Sequence, residues 1–316
     1  MRDESTIDKF TSRDPSWQRA HDLVQKYFAI PAHVWRLFRH AWYGEAEPVD
    51  FLKVMSFARL NPLCLLYAAE TYKPEEQATS ESLEHAIHML GIRLSSIVLA
   101  VNFATRKILA SNPPPIWKDY TRELITLIEV GYHMGSRTPE LGPEGGAMAG
   151  FSALIGEGVF LAENPRDYRE YLRLKTQKRV PEREKRNYQA RVLGCESYQI
   201  ASLTIQALGF GSEMALGVAL GSGKLRIDHR DVEREVLRWW AAHDWVVALR
   251  EGRNYPSRPE LRQFFSELIP PRQGAPKNPS LEVLYTEIAR IKTHGSTWIW
   301  HLPKPGYQDT GKLLGI

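Results

Sequence analysis

The chain has 316 residues, 43% of them apolar and 25% charged, with 41 Lys and Arg against 37 Asp and Glu for a formal charge of +4. This is the composition of an ordinary globular protein with a buried core, one large domain or two smaller ones. A charge this mild does not by itself argue for nucleic acid, and two cysteines without metal-ligand spacing, Cys64 and Cys195, imply neither a disulfide framework nor a zinc site.

The polar start, MRDESTIDKFTSRD, has no apolar signal core. No apolar run is read as reaching the roughly 18–20 residues that cross a bilayer, so a cytoplasmic protein without membrane contact is expected. Residues 1–33 read as a lead-in with one helix. From Ser82 to Leu109 apolar residues recur at helical spacing, with Leu83, Ala86, Ile87 and Leu90, then Leu94, Ile97, Val98 and Val101. Ser80 or Ser82 suits the N-cap, and Gly91 predicts a break between two helices. Asn112-Pro113-Pro114-Pro115 ends this unit, because proline lacks the amide that a helix interior needs.

Trp117 to Met134 predicts an amphipathic helix with Leu124, Ile125, Leu127, Ile128 and Val130 on its apolar side. A Gly/Pro loop, Gly135–Gly146, is expected to lead into an apolar helix over Ala147–Leu161. Two charged segments follow, split by Pro181. Then come Cys195–Leu208, a glycine turn at Gly209 and Gly211, a small-residue helix to Leu220, and the clearest helix of all, Asp231–Arg250. Residues 251–316 form a proline-rich appendage, with short helices expected near Pro259–Leu268 and Leu281–Ile291. Trp298, Ile299 and Trp300 predict that it packs back on the rest. Sustained period-2 alternation is missing, so the fold class is all-α.

Several residues invite a functional reading. His21-Asp22 and His243-Asp244 are literal His-Asp pairs. His243 shares a helical face with Val232, Val236, Trp239 and Val246, which suits a hydrogen-bonded packing residue. Asp244 shares its stripe with Leu237, Trp240 and Val247, where an ion pair with an arginine is expected. His85 and His88 stand one turn apart without an obvious third donor. His229 with Asp228 and Asp231 reads as a helix start. The most basic stretch, Arg166–Arg191, carries Arg173, Lys175, Lys178, Arg179, Lys185 and Arg186. Tyrosines are interleaved, and glutamates dilute the charge. A docking surface for an acidic protein partner fits it better than nucleic acid does. Gly209-Phe210-Gly211 and Gly221-Ser222-Gly223 lack the context of a phosphate-cradling loop.

Two blocks together resemble the HDOD family, the HD-related output domains of bacterial signalling proteins, over roughly Val34 to Arg250. The first block, Phe51–Val101, has Asn61-Pro62 where the family has Asp-Pro, then Ser82-Leu83, Ala86-Ile87 and Leu90-Gly91 at the family's spacing. Lys73-Pro74 stands where it usually has Asn-Ser. In the second block Trp117 precedes Asp119, at the place of the first metal ligand of HD hydrolases. Gly146–Gly156, GAMAGFSALIG, resembles the helix bearing their His-Asp pair, with Ala153 and Leu154 at those two positions. Gly194-Cys195-Glu196-Ser197 has Ser197 in place of a histidine, and WAAHDWVVALREG puts Asp244 at the last aspartate.

The resemblance implies a multi-helix, HD-like bundle over residues 34–250, with a first helical unit at 51–110 and a degenerate HD-like unit at 117–250. It implies a non-catalytic regulatory protein of signal transduction that uses no metal or other cofactor and acts on protein partners. The alternatives are a divergent metal-dependent phosphohydrolase, nucleic-acid binding through Arg173–Arg191, and capture of a small signalling ligand in the former active-site cavity.

Overall fold

The computed structural model describes residues 14–58, 60–72, 82–111, 113–177, 179–221, 232–271 and 278–298. Among them stand 14 α-helices, two short 3-10 turns and no strand. The helices are α1 (Pro15–Phe28), α2 (Ala32–Tyr43), α3 (Pro48–Phe57), α4 (Leu63–Tyr72), α5 (Leu83–Leu90), α6 (Ile92–Ala110), α7 (Trp117–Gly135) and α8 (Gly142–Glu163). After these come α9 (Pro165–Thr176), α10 (Glu182–Leu193), α11 (Ser197–Ala207), α12 (Ser212–Gly221), α13 (Arg234–Glu251) and α14 (Pro279–His294).

Local chemistry sets the helix boundaries. Ser82 caps α5 by accepting from the His85 amide. Asn61 Oδ1 accepts from the Leu63 amide at the start of α4, the work an aspartate would do there. Glu196 and Gln199 form a capping box on α11. Gly91, at φ 79°, turns α5 into α6 through 110°. An L side chain rarely adopts that backbone, so the predicted break is a sharp corner.

The helix α8 begins at Gly142, earlier than the sequence suggests, and the expected loop shrinks to residues 136–141. Packing overrides glycine's poor helix propensity here. A Cβ on Gly146 would lie 1.9 Å from the Gly131 carbonyl oxygen, and one on Gly150 2.1 Å from that of Leu127. The backbones of α7 and α8 therefore meet as an antiparallel pair that only glycine permits. Spanning 22 residues, α8 is also long and apolar enough to cross a membrane, contrary to the sequence expectation, but 89% of that stretch is buried inside the fold. Its apolar surface faces other helices.

Around α8 pack α6, α7, α9, α11 and α13; α1 lies on α11, and α2 to α6 contact one another. The C-terminal segment packs back as expected, although Ile299 and Trp300 lie outside the described residues. Its first predicted helix is two 3-10 turns, Pro259–Gln263 and Ser266–Leu268, and its second is α14. Trp245 Nε1 donates to the Phe264 carbonyl at 3.2 Å, and Trp298 meets Tyr132 edge-on at 4.9 Å.

Candidate functional site

The antiparallel register of α7 and α8 fixes how the positions that the resemblance aligns with ligands of HD hydrolases stand relative to one another. Gly131 faces Gly146, Leu127 faces Gly150, and the Tyr120 hydroxyl lies over Gly158. Glu123 and Leu124 therefore stand level with Ala153 and Leu154, and Asp119 lies about a turn beyond them. Asp119 is exposed and paired with Arg122 at 3.3 Å. The structure does not bring it to the central pair. Leu154 is buried and Ala153 half-buried. Ser197 does approach α8, since a Cβ on Gly156 would strike its backbone. However, its amide and hydroxyl both donate to Gln189 Oε1, at 3.0 and 3.1 Å.

Asp244 lies partly covered on α13. Burial pushes its carboxyl up, against the backbone amides of Arg258 and Ser257 and the charges of Arg253 and Arg258. The ion pair expected from the sequence is not closed, and Oδ2 has no hydrogen-bond partner. His243 is buried against the Tyr198 ring at 5.3 Å, and its Nε2 is likewise without a partner. The packing role read from the sequence is present, without a hydrogen bond at that atom. Burial holds its pKa down at about 4, so the ring is neutral near pH 7.

Three carboxylates that sequence reading passed over do more. Glu123 pairs with Arg250 at 2.6 Å, placing an ion pair level with Leu154. Glu157, buried in α8, accepts from Lys175 at 2.7 Å and from the Tyr171 hydroxyl at 3.1 Å. Glu129, 1% exposed on α7, accepts from Arg290 at 2.7 Å, from the Thr297 amide at 3.1 Å and from the Ser296 hydroxyl. The cue for Glu129 is an acid inside the apolar run Leu127-Ile128-Glu129-Val130. Glu157 likewise interrupts an apolar helix.

Among the described residues, no three His, Cys, Asp or Glu side chains are grouped to hold a metal ion. The donors at the aligned positions do not fit one either. Asp119 points elsewhere, Ser197 is engaged, and residues 153 and 154 offer only carbon. His85 and His88 are exposed on α5, and His21 and Asp22 are exposed on α1. Asp228, His229 and Asp231 lie outside the described residues.

A cleft of about 530 Å³ opens at the far end of α8, walled by Lys26, Tyr27, Lys107, Ser111 and Glu163. None of the aligned positions lines it. Of the predicted basic surface, Arg173 and Arg179 are exposed, while Lys178 lies outside the described residues. Lys175 is tied to Glu157, Lys185 is buried rather than on the surface, and Arg186 donates to the Gly221 carbonyl at 3.3 Å.

No family model matches the sequence, and no curated protein shows significant similarity to it. Solved structures do match. An HDOD domain protein of unknown function from Geobacter sulfurreducens aligns with a TM-score of 0.58 at 12% identity, over 88% of this chain and 95% of its own. A protein from Shewanella amazonensis SB2B, named as a candidate phosphohydrolase, aligns with a TM-score of 0.55 at 13% identity, over 92% and 98%. The chain therefore has the all-helical, HD-like fold of HDOD proteins.

Proposed function

We propose that this chain works by contact: a cytoplasmic regulatory protein of bacterial signal transduction that binds protein partners through an HD-like core and does not hydrolyse a substrate. The observation that carries this reading is the state of the central pair. Leu154 is buried in α8, Ala153 stands beside it, and the acid level with them, Glu123, is neutralised by Arg250. A hydrolase of this fold needs a metal to turn water into a nucleophile near neutral pH, and methyl and isobutyl groups supply no donor. Of the basic stretch Arg166–Arg191, Arg173 is paired with Glu170 at 3.0 Å and Lys175 with Glu157 at 2.7 Å, which makes it the weaker candidate for a partner surface.

The name of the Shewanella neighbour favours a second reading, metal-dependent phosphohydrolysis. A screen of nucleotides and cyclic dinucleotides with Mg²⁺ and Mn²⁺, run beside co-purification from the native cell, separates the two. A stoichiometric protein partner without turnover is expected. Turnover abolished by Asp244→Ala would contradict the proposal.

A further inference from the structure

Helix α2 is short and basic and, like α6, has no acid of its own. Its sequence, AHVWRLFRHAWY, buries Val34, Leu37, Phe38 and Ala41 and turns His33, Arg36, Arg39, His40 and Tyr43 outward. These recur at intervals of three and four, so they form one stripe along about 15 Å of helix. Arg93, exposed at the start of α6, brings its guanidinium to Gly44 at the C-terminal end of the stripe.

Several basic side chains elsewhere are neutralised by carboxylates: Arg19 and Lys26 on Glu163, Arg250 on Glu123, Arg290 on Glu129. Among the described residues Arg36, Arg39 and Arg93 make no ion pair or side-chain hydrogen bond. Arg39 is also held in place, its guanidinium stacked on Trp35 at 5.2 Å and on Tyr43 at 5.5 Å. Stacking occupies the faces of the group and leaves its N–H edge free. A fork so placed loses little side-chain entropy when a carboxylate arrives.

We propose that the α2 face is the docking surface for an acidic helical segment of a partner protein. Its carboxylates would be spaced one turn apart to meet Arg36 and Arg39, with an apolar side chain against half-exposed Tyr43. The proposal rests on the contact reading above and names its surface and the chemistry of its partner. Charge complementarity selects the class of occupant, because arginine pairs with carboxylates through two parallel hydrogen bonds. The extent of the patch selects a short protein segment over nucleic acid. Glu45 and Glu213 flank Tyr43 and close the stripe at that end, whereas a nucleic-acid strand needs a longer basic track.

The test uses the full chain and fluorescence anisotropy in about 0.15 M salt. One probe is a labelled helical peptide of about 14 residues with glutamates at i, i+3, i+4 and i+7 and a terminal leucine. The others are its scrambled counterpart and a labelled single-stranded DNA of equal charge. The helical peptide should bind saturably and most tightly. Arg36→Glu/Arg39→Glu should weaken it about tenfold or more, and Arg173→Glu/Arg179→Glu should leave it within about twofold. All four side chains are exposed, so unchanged circular dichroism verifies the fold. Three results would each overturn the proposal: no saturable binding, tighter binding of the DNA or the scramble, or indifference to Arg36→Glu/Arg39→Glu. Loss confined to Arg173→Glu/Arg179→Glu would reject α2 yet leave the contact reading standing. Substrate turnover would reject that reading without altering the titration.

Discussion

His243 shows how far packing has displaced ionic chemistry on α13. Burial alone lowers its pKa to about 4, so the fold admits the neutral ring and the unfolded chain binds a proton more readily. Between about pH 6.5 and pH 4 the unfolded state holds the extra proton, and stability must fall as pH falls through that window. The full drop is on the order of 3 kcal/mol. His243→Leu should flatten the denaturation free energy over that interval in urea titrations at stepped pH; an unchanged slope would place the titration elsewhere. The literal His-Asp dipeptide was legible in the sequence, and so was its place on a packed helical face. That Nε2 would find no partner was not, since it depends on what packs against the ring from other helices, among them Tyr198 of α11.

At the scale of elements, α7 and α8 are held by backbone proximity. A helical glycine normally costs about 1 kcal/mol relative to alanine, so Gly146→Ala would stabilise an isolated helix. Here the added methyl would meet the Gly131 carbonyl at 1.9 Å. Gly146→Ala should therefore destabilise the protein by about 2 kcal/mol or more, the sign expected of overpacking, as read by chemical denaturation. The same fact explains why the start of α8 was hidden. Gly142, Gly145 and Gly146 follow a proline-containing stretch and look like loop residues until the partner helix is in place. Other elements were legible because their signals are local, such as the Ser82 cap, the corner at Gly91 and the apolar period of α7.

The C-terminal segment is fastened by one acid on that same pair. Burial pushes the Glu129 carboxyl up, but hydrogen bonds from His133, Ser296 and Arg290 outweigh it and hold the group below the usual range. The stability it contributes is present above the unfolded carboxylate pKa and lost as pH falls through the folded value. Glu129→Ala should cost about 2–4 kcal/mol. It should also raise hydrogen exchange in α14 first, because Arg290, Ser296 and Thr297 lose their shared acceptor. Uniform protection across α14 in that variant would mean that the latch is not what holds the segment.

Over the whole molecule, the all-helical class follows from periodicity, and the HD-like arrangement was legible only as what the family resemblance implies, carried by the glycines that keep their frame around residues 153 and 154. The site was less legible. The resemblance sets Asp119 at a ligand position; in the structure it stands about a turn from Ala153 and Leu154, and Glu123, paired with Arg250, is level with them. Register between helices depends on contacts that no local pattern encodes. Whether the core near Leu154 binds a cation therefore separates a contact protein from a metal-dependent hydrolase. Metal content after incubation with Mn²⁺, Fe²⁺ or Zn²⁺ and desalting, measured by inductively coupled plasma mass spectrometry, addresses this directly. Well under one equivalent per chain is expected, the same for the parent and for Asp244→Ala. One or more equivalents in the parent, lost in Asp244→Ala, would contradict the contact reading.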